Sequence, residues 1–135
     1  MAHQTIENHR EGAETYTDHE MCMKKSIELL EELHLPRGLL PLNDLEEVGY
    51  NRSTSFVWLK QKNKTTHKFK KIDRDVWYGK EVTAFVEDKK MKRMTGVKAQ
   101  ELLIWLSLTS MVIEDPEGKE ITFNTVTGIG RTFPV

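Results

Sequence analysis

The sequence has a single cysteine, Cys22, so no intramolecular disulfide can form, the usage expected of a reducing compartment. Long apolar stretches are missing as well. The longest, Leu102–Leu106, falls far short of the roughly 20 residues needed to span a bilayer. The opening MAHQTIENHREGAETYTDHE is polar and acidic, without the basic start and the apolar segment of about 7–15 residues that mark a secretory signal. These absences together lead us to expect a soluble, cytoplasmic protein. Proline (4 residues) and glycine (8 residues) are sparse, and the spread of Val, Ile, Leu, Phe and Trp from Leu39 onward excludes low-complexity disorder.

Reactive constellations are equally scarce. A zinc site needs three or four converging ligands, usually with a CxxC or HxxxH pair; His19, Cys22 and His34 do not supply one. Ser107 and Ser110 lack a GxSxG elbow, and Cys22 beside His19 is an incidental pair on a polar helical turn rather than an activated thiolate. Gly128-Ile129-Gly130 lacks the third glycine and the strand–turn–helix setting of a dinucleotide site. No catalytic residue, metal ligand or cofactor is expected. The Lys89–Arg93 cluster reads as a solvated hairpin, which makes nucleic acid an unlikely partner.

What is present is a 135-residue chain, long enough for one domain with its own core. Residues 1–16 show no apolar periodicity and are expected to be a flexible tail, with a single domain over 17–135. Thr17-Asp18-His19-Glu20 reads as a capping box. Met23, Ile27, Leu30 and Leu33 then recur at helical spacing, and Leu35-Pro36 ends the helix. From Leu39 on the period is two. Phe56 and Trp58 point one way and Val57 and Leu59 the other, so this strand needs cover on both faces. Gln61–Lys64 reads as a turn, with Thr65–Ile72 returning; Val82, Ala84 and Val86 share a face. Leu102–Leu106 is apolar on both faces, and Asp115-Pro116-Glu117-Gly118 is a type I turn signal. The expected fold is mainly β (α+β): an antiparallel β-barrel-like domain of about seven short strands with one N-terminal covering helix.

The near-neutral total hides an uneven distribution of charge. Residues 1–50 hold 4 Lys/Arg against 11 Asp/Glu, residues 51–98 hold 14 against 5, and residues 99–135 hold 2 against 5. The basic middle is densest between Lys60 and Arg74, with Trp77 and Tyr78 following. Lys60, Lys68, Lys70, Lys71, Arg74, Trp77 and Tyr78 are therefore the candidate ligand-binding residues. Cations beside aromatics suit an anionic headgroup or a membrane surface; the competing reading is an edge hairpin kept soluble by lysines.

Several ordered blocks resemble a known family. Leu35-Pro36-Arg37-Gly38-Leu39-Leu40-Pro41 is similar to a signature of the plant domain-of-unknown-function 538 family. Glu47–Asn51, Phe56–Leu59, Glu81–Glu87, Thr95–Trp105 and Arg131–Val135 look like further blocks of it, so the likeness covers about residues 20–135. It implies a β-barrel-like domain with a packed helix, in the branch linked with trichome branching and plant stress. Many members carry a secretory signal that this chain lacks. Proposals for the family include lipid or chlorophyll binding and weak esterase activity, without catalytic residues to carry over. The expected function is non-enzymatic: binding or regulation through an anionic amphipathic ligand of lipid or tetrapyrrole type, lined by Phe56–Leu59, Val82–Val86 and Leu102–Leu108. The alternatives are a weak ester hydrolase acting on such ligands and a protein-interaction regulator without a small ligand. Oligomeric state is not legible.

Overall fold

A computed structural model describes residues 2–135. Its best-capped element is α2 (His19–Glu32), preceded by α1 (Ala2–His9) and β1 (Glu14–Tyr16). The cap of α2 is Asp18, one residue beyond Thr17; its carboxylate accepts from the Met21 backbone N–H at 3.0 Å and satisfies one of the free donors of the first turn. At the other end His34 adopts φ 58°. The Leu35 and His34 N–H groups reach back to Leu30 and Glu31 carbonyls at 2.9 and 3.1 Å. This is a Schellman closure with histidine in the place glycine usually takes. The buried face of α2 runs through Cys22, Ser26, Leu29, Leu30 and Leu33, while Met23 and Ile27 are only half-buried. The stripe is thus rotated from the expected one. Small residues at 22 and 26 sit innermost, and the larger Met23 and Ile27 flank the contact with the sheet.

Nine strands form one antiparallel sheet, eight of them along a single path. With β2 (Leu45–Asn51), β3 (Phe56–Gln61), β4 (Thr65–Phe69), β5 (Arg74–Glu87), β6 (Lys90–Glu101), β7 (Ile104–Val112), β8 (Glu120–Thr125) and β9 (Gly130–Pro134), the order is β1-β2-β3-β5-β6-β7-β8-β9, and β4 is paired to β5 alone. The strands are more numerous than the seven expected, and two are long, with 14 and 12 residues. The sheet curls round one core that takes Val48, Val57, Leu59, Val82, Val97, Leu108, Met111 and Ile121 from six strands. It does not close, because β1 and β9 end the path without pairing to each other. Curling follows from irregularities in the long strands. Register shifts between Tyr78 and Thr83, beside Gly96 at φ 82°, where any Cβ would run into the Glu81 carbonyl oxygen. Such bulges bend a strand and increase its twist.

Residues 2–16, expected to be a tail, carry α1 and β1. Ile6, fully buried, packs with Phe56 and Trp58 in a second, smaller core, and the His9 ring stacks on Phe56 at 4.3 Å. This is the cover that the two-faced apolar pattern of β3 requires. Periodicity did not reveal it, because one large apolar residue in α1 is enough for so small a contact. Arg10 continues the attachment, its guanidinium donating to Glu47 at 2.8 Å, and β1 pairs with β2 through Thr15 and Gly49. Among the described residues no helix is long and apolar enough to cross a membrane.

Candidate functional site

The basic segment from Lys60 to Arg74 is not the single hairpin the sequence suggested. β3 pairs with Glu81–Phe85 of β5, and β4 pairs with Arg74–Tyr78 of the same strand, both antiparallel. The two therefore run in the same direction along one edge of β5, and the hairpin is β4–β5, turning at residues 70–73. Gln61 explains why the chain does not reverse at 61–64. Its buried side-chain amide donates to the Tyr78 and Gly79 carbonyls at 3.2 and 2.8 Å. Those carbonyls sit at the interruption of β5, and the amide stands in for the missing backbone ladder.

This arrangement divides the seven candidate residues into three groups. Lys60 lies on β3, between Glu47 at 3.6 Å and Glu81 at 3.8 Å. It lines a shallow depression together with Trp77, whose ring carries Lys98 Nζ at 5.1 Å. Lys68, Lys70, Lys71 and Arg74 gather round the β4–β5 turn. There Lys68 meets Asp73 at 3.4 Å, Arg74 meets Glu101 at 3.3 Å, and Lys70 and Lys71 are exposed. Tyr78 belongs to neither surface. It is fully buried, its hydroxyl donates to the Leu39 carbonyl at 2.8 Å, and burial pushes the phenol well above its ordinary pKa. The period of two is the reason: Val76 and Tyr78 face inward, whereas Trp77 faces out. Tyr78 is thus a support for the loop after α2 rather than a contact residue.

That loop forms one wall of the principal apolar opening, a groove of about 390 Å³. Leu39 comes from the loop, Phe69 and Ile72 from the β4–β5 hairpin, and Ile121 and Phe123 from β8. The groove is a seam between the β4–β5 hairpin and β8–β9. Its rim is polar on the β4 side. His67 and Lys71 line it, and Lys71 Nζ reaches across to the Val135 carbonyl oxygen at 3.1 Å. An apolar floor with a cation at the edge is the geometry that holds a long apolar body by one acidic end. Of the groove residues only Lys71 was a sequence candidate. Leu39, Ile121 and Phe123 read as ordinary core positions, since lining and core residues share the same alternation.

Other expectations fall differently. Phe56–Leu59 and Val82, Ala84 and Val86 are buried as core, not as cavity wall. Leu102–Leu108 divides: Leu108 is buried, whereas Leu102 and Leu103 are each 93% exposed. Cys22 is buried with its Sγ donating to the Tyr16 carbonyl at 3.2 Å, and burial pushes the thiol up. His19 faces the Leu45 carbonyl, and His34 meets Asp88 at 2.6 Å. In the Lys89–Arg93 segment, Lys92 pairs with Glu87 at 2.9 Å and the Lys89 N–H closes onto the Leu33 carbonyl.

A family model described as "Protein of unknown function, DUF538" matches residues 26–135. No curated protein and no solved structure matches the chain.

Proposed function

Since the chain belongs to the DUF538 family, whose description names no activity, we propose a function from the seam groove: it binds an amphipathic molecule with one acidic group. The observation that carries this reading is an apolar groove of about 390 Å³ with Lys71 and His67 at its rim. That volume lies toward the lower end of small-molecule sites, about 300–1,000 Å³, and favours a single acyl chain over a tetrapyrrole macrocycle. Leu39, Phe69 and Phe123 take the chain, and Lys71 makes a charge-assisted bond to its carboxylate or phosphate. This is a binding role, not an enzymatic one. We further propose a cytoplasmic location and, from the resemblance of its sequence blocks, a place in the plant, trichome-branching and stress-associated branch.

A fluorescent polyene fatty acid, compared with its methyl ester, tests the reading. Lys71→Glu is expected to weaken binding of the acid by about tenfold, the loss of one charge-assisted contact, and to leave the ester unaffected. Gly38→Phe is expected to weaken both probes, because Gly38 lines the groove and a Cβ there meets nothing within 4 Å, so the ring fills the opening without disturbing the core. Unchanged affinity of both probes in Gly38→Phe removes the groove as the site.

A further inference from the structure

Eight large apolar side chains are exposed among the described residues, and six of them, Leu102, Leu103, Ile104, Trp105, Val126 and Ile129, gather at one end of the sheet. The register puts them there. Glu101 pairs with Ile104 and Asn124 with Gly130, so the β6–β7 and β8–β9 connections lie at the same end, joined by the Val126 N–H to the Ser107 carbonyl at 3.0 Å. The β4–β5 turn is there too, because Arg74 meets Glu101 at 3.3 Å. The Leu102-Leu103 link stands beyond the last pairs that β6 makes with β5, so its side chains have no sheet or helix to pack against. Their exposures are each 93%, with Ile104 at 59% and Trp105 at 41%.

The backbone of this tip makes the apolar choice costlier still. Leu102 has φ 56°, the left-handed conformation that two-residue hairpin links normally give to glycine or asparagine. A branched apolar residue there loses both solubility and local backbone energy, with no packing in return. Residues that break a local rule without a structural gain point to function.

The charges around the tip narrow what it meets. Lys68, Lys70, Arg74 and Arg131 come from the segments at this end, against Asp73, Asp75 and Glu101. Glu101 is held between Arg74 at 3.3 Å and Arg131 at 3.2 Å, and Asp73 by Lys68 at 3.4 Å. Lys70 makes no ion pair among the described residues. A protruding Leu-Leu-Ile-Trp tip, with Lys70 unpaired behind it and two arginines sharing the one Glu101 carboxylate, matches the layering of an anionic bilayer surface: hydrocarbon, then an interface that favours tryptophan, then negative headgroups. We propose that the β6–β7 hairpin inserts Leu102, Leu103 and Ile104 into the outer layer of an anionic phospholipid membrane, with Trp105 at the interface and Lys70 on the headgroups. The proposal does not rest on the groove reading.

The test is co-sedimentation of the full chain with phosphatidylcholine vesicles, with and without phosphatidylserine, across a salt series. Wild type is expected to bind the phosphatidylserine vesicles and to shift its tryptophan emission to the blue. Rising salt should weaken the lysine contribution, screened over about 8 Å at physiological ionic strength, and leave an apolar remainder. Leu102→Asp with Leu103→Asp should lower vesicle binding about tenfold or more, with an unchanged melting curve. Leu102→Gly separates function from folding: it should melt at the same temperature or higher, yet bind vesicles less well. Gly38→Phe should bind vesicles as wild type does, so failure of the groove reading and failure of this one are told apart. Absence of vesicle binding by wild type overturns the proposal, as does equal binding by the double aspartate variant. It is also overturned if wild type elutes as a dimer that the aspartates convert to monomer without vesicle binding, for then the tip is covered by a second copy.

Discussion

Glu47 shows how much one carboxylate can connect. It lies on β2 with its side chain only 15% exposed, accepts from Arg10 at 2.8 Å and from the Trp58 indole N–H at 3.2 Å, and faces Lys60. It thereby ties the segment after α1 to the sheet over the smaller core. The Arg10 guanidinium, helped by the indole, holds the carboxyl below the usual carboxylate range although burial works the other way. A depressed folded pKa contributes stability that is fully present above the unfolded value, near 4.3 for a glutamate, and is lost as pH falls through the folded value. Glu47→Gln is therefore expected to cost about 1–2 kcal/mol near neutral pH, reduced by the partial exposure of Arg10. The difference from wild type should shrink as the medium is acidified below the folded pKa. Urea unfolding midpoints across a pH series measure it, and a constant difference would show that Glu47 acts through shape rather than charge. Tyr78 makes the neutral counterpart: Tyr78→Phe leaves the Leu39 carbonyl without its buried donor.

At the scale of elements, α2 and α1 cover opposite faces of the sheet. Leu30, fully buried on α2, touches the main core, and Leu30→Ala is expected to lower stability by about 2–5 kcal/mol. The half-buried Ile27 should cost distinctly less on the same substitution. Equal losses at the two positions, measured by chemical unfolding, would contradict the rotated face of the helix. The existence of α2 was legible because a cap, a stripe and a proline stop occur in order. Its exact inner face was not, since Cys22 and Ser26 do not announce burial. For α1 nothing was legible beyond the need it meets, the two-faced pattern of Phe56, Val57, Trp58 and Leu59. Local pattern also misread the link between β3 and β4. Residues 61–64 carry turn-forming chemistry, yet Gln61 spans the interruption in β5 and keeps the chain running forward.

For the whole molecule, the two cores share β3, with Val57 and Leu59 in one and Phe56 and Trp58 in the other. Loss of either removes one face of the same strand. Heat or urea unfolding is expected to give coincident transitions by far-ultraviolet circular dichroism, which follows the sheet, and by tryptophan fluorescence, to which Trp58 contributes. A separate early fluorescence change would mean that α1 detaches on its own. Alternation, capping and turn chemistry are local properties, and the sequence by itself determined what depends on them: a mainly antiparallel β protein, its capped helix, the two-faced strand and the Asp115–Gly118 turn. Whether the sheet would close was decided only in three dimensions, because closure depends on how far the bulges at Tyr78–Thr83 and Gly96 bend strands that are distant in sequence from β1 and β9. The same bend left the seam that Leu39, Phe69 and Phe123 line, with Lys71 at its rim. It also decided that Leu102–Trp105, as apolar in sequence as any core strand, would form the β6–β7 turn and first pairs beyond the reach of β5, where the side chains stay exposed.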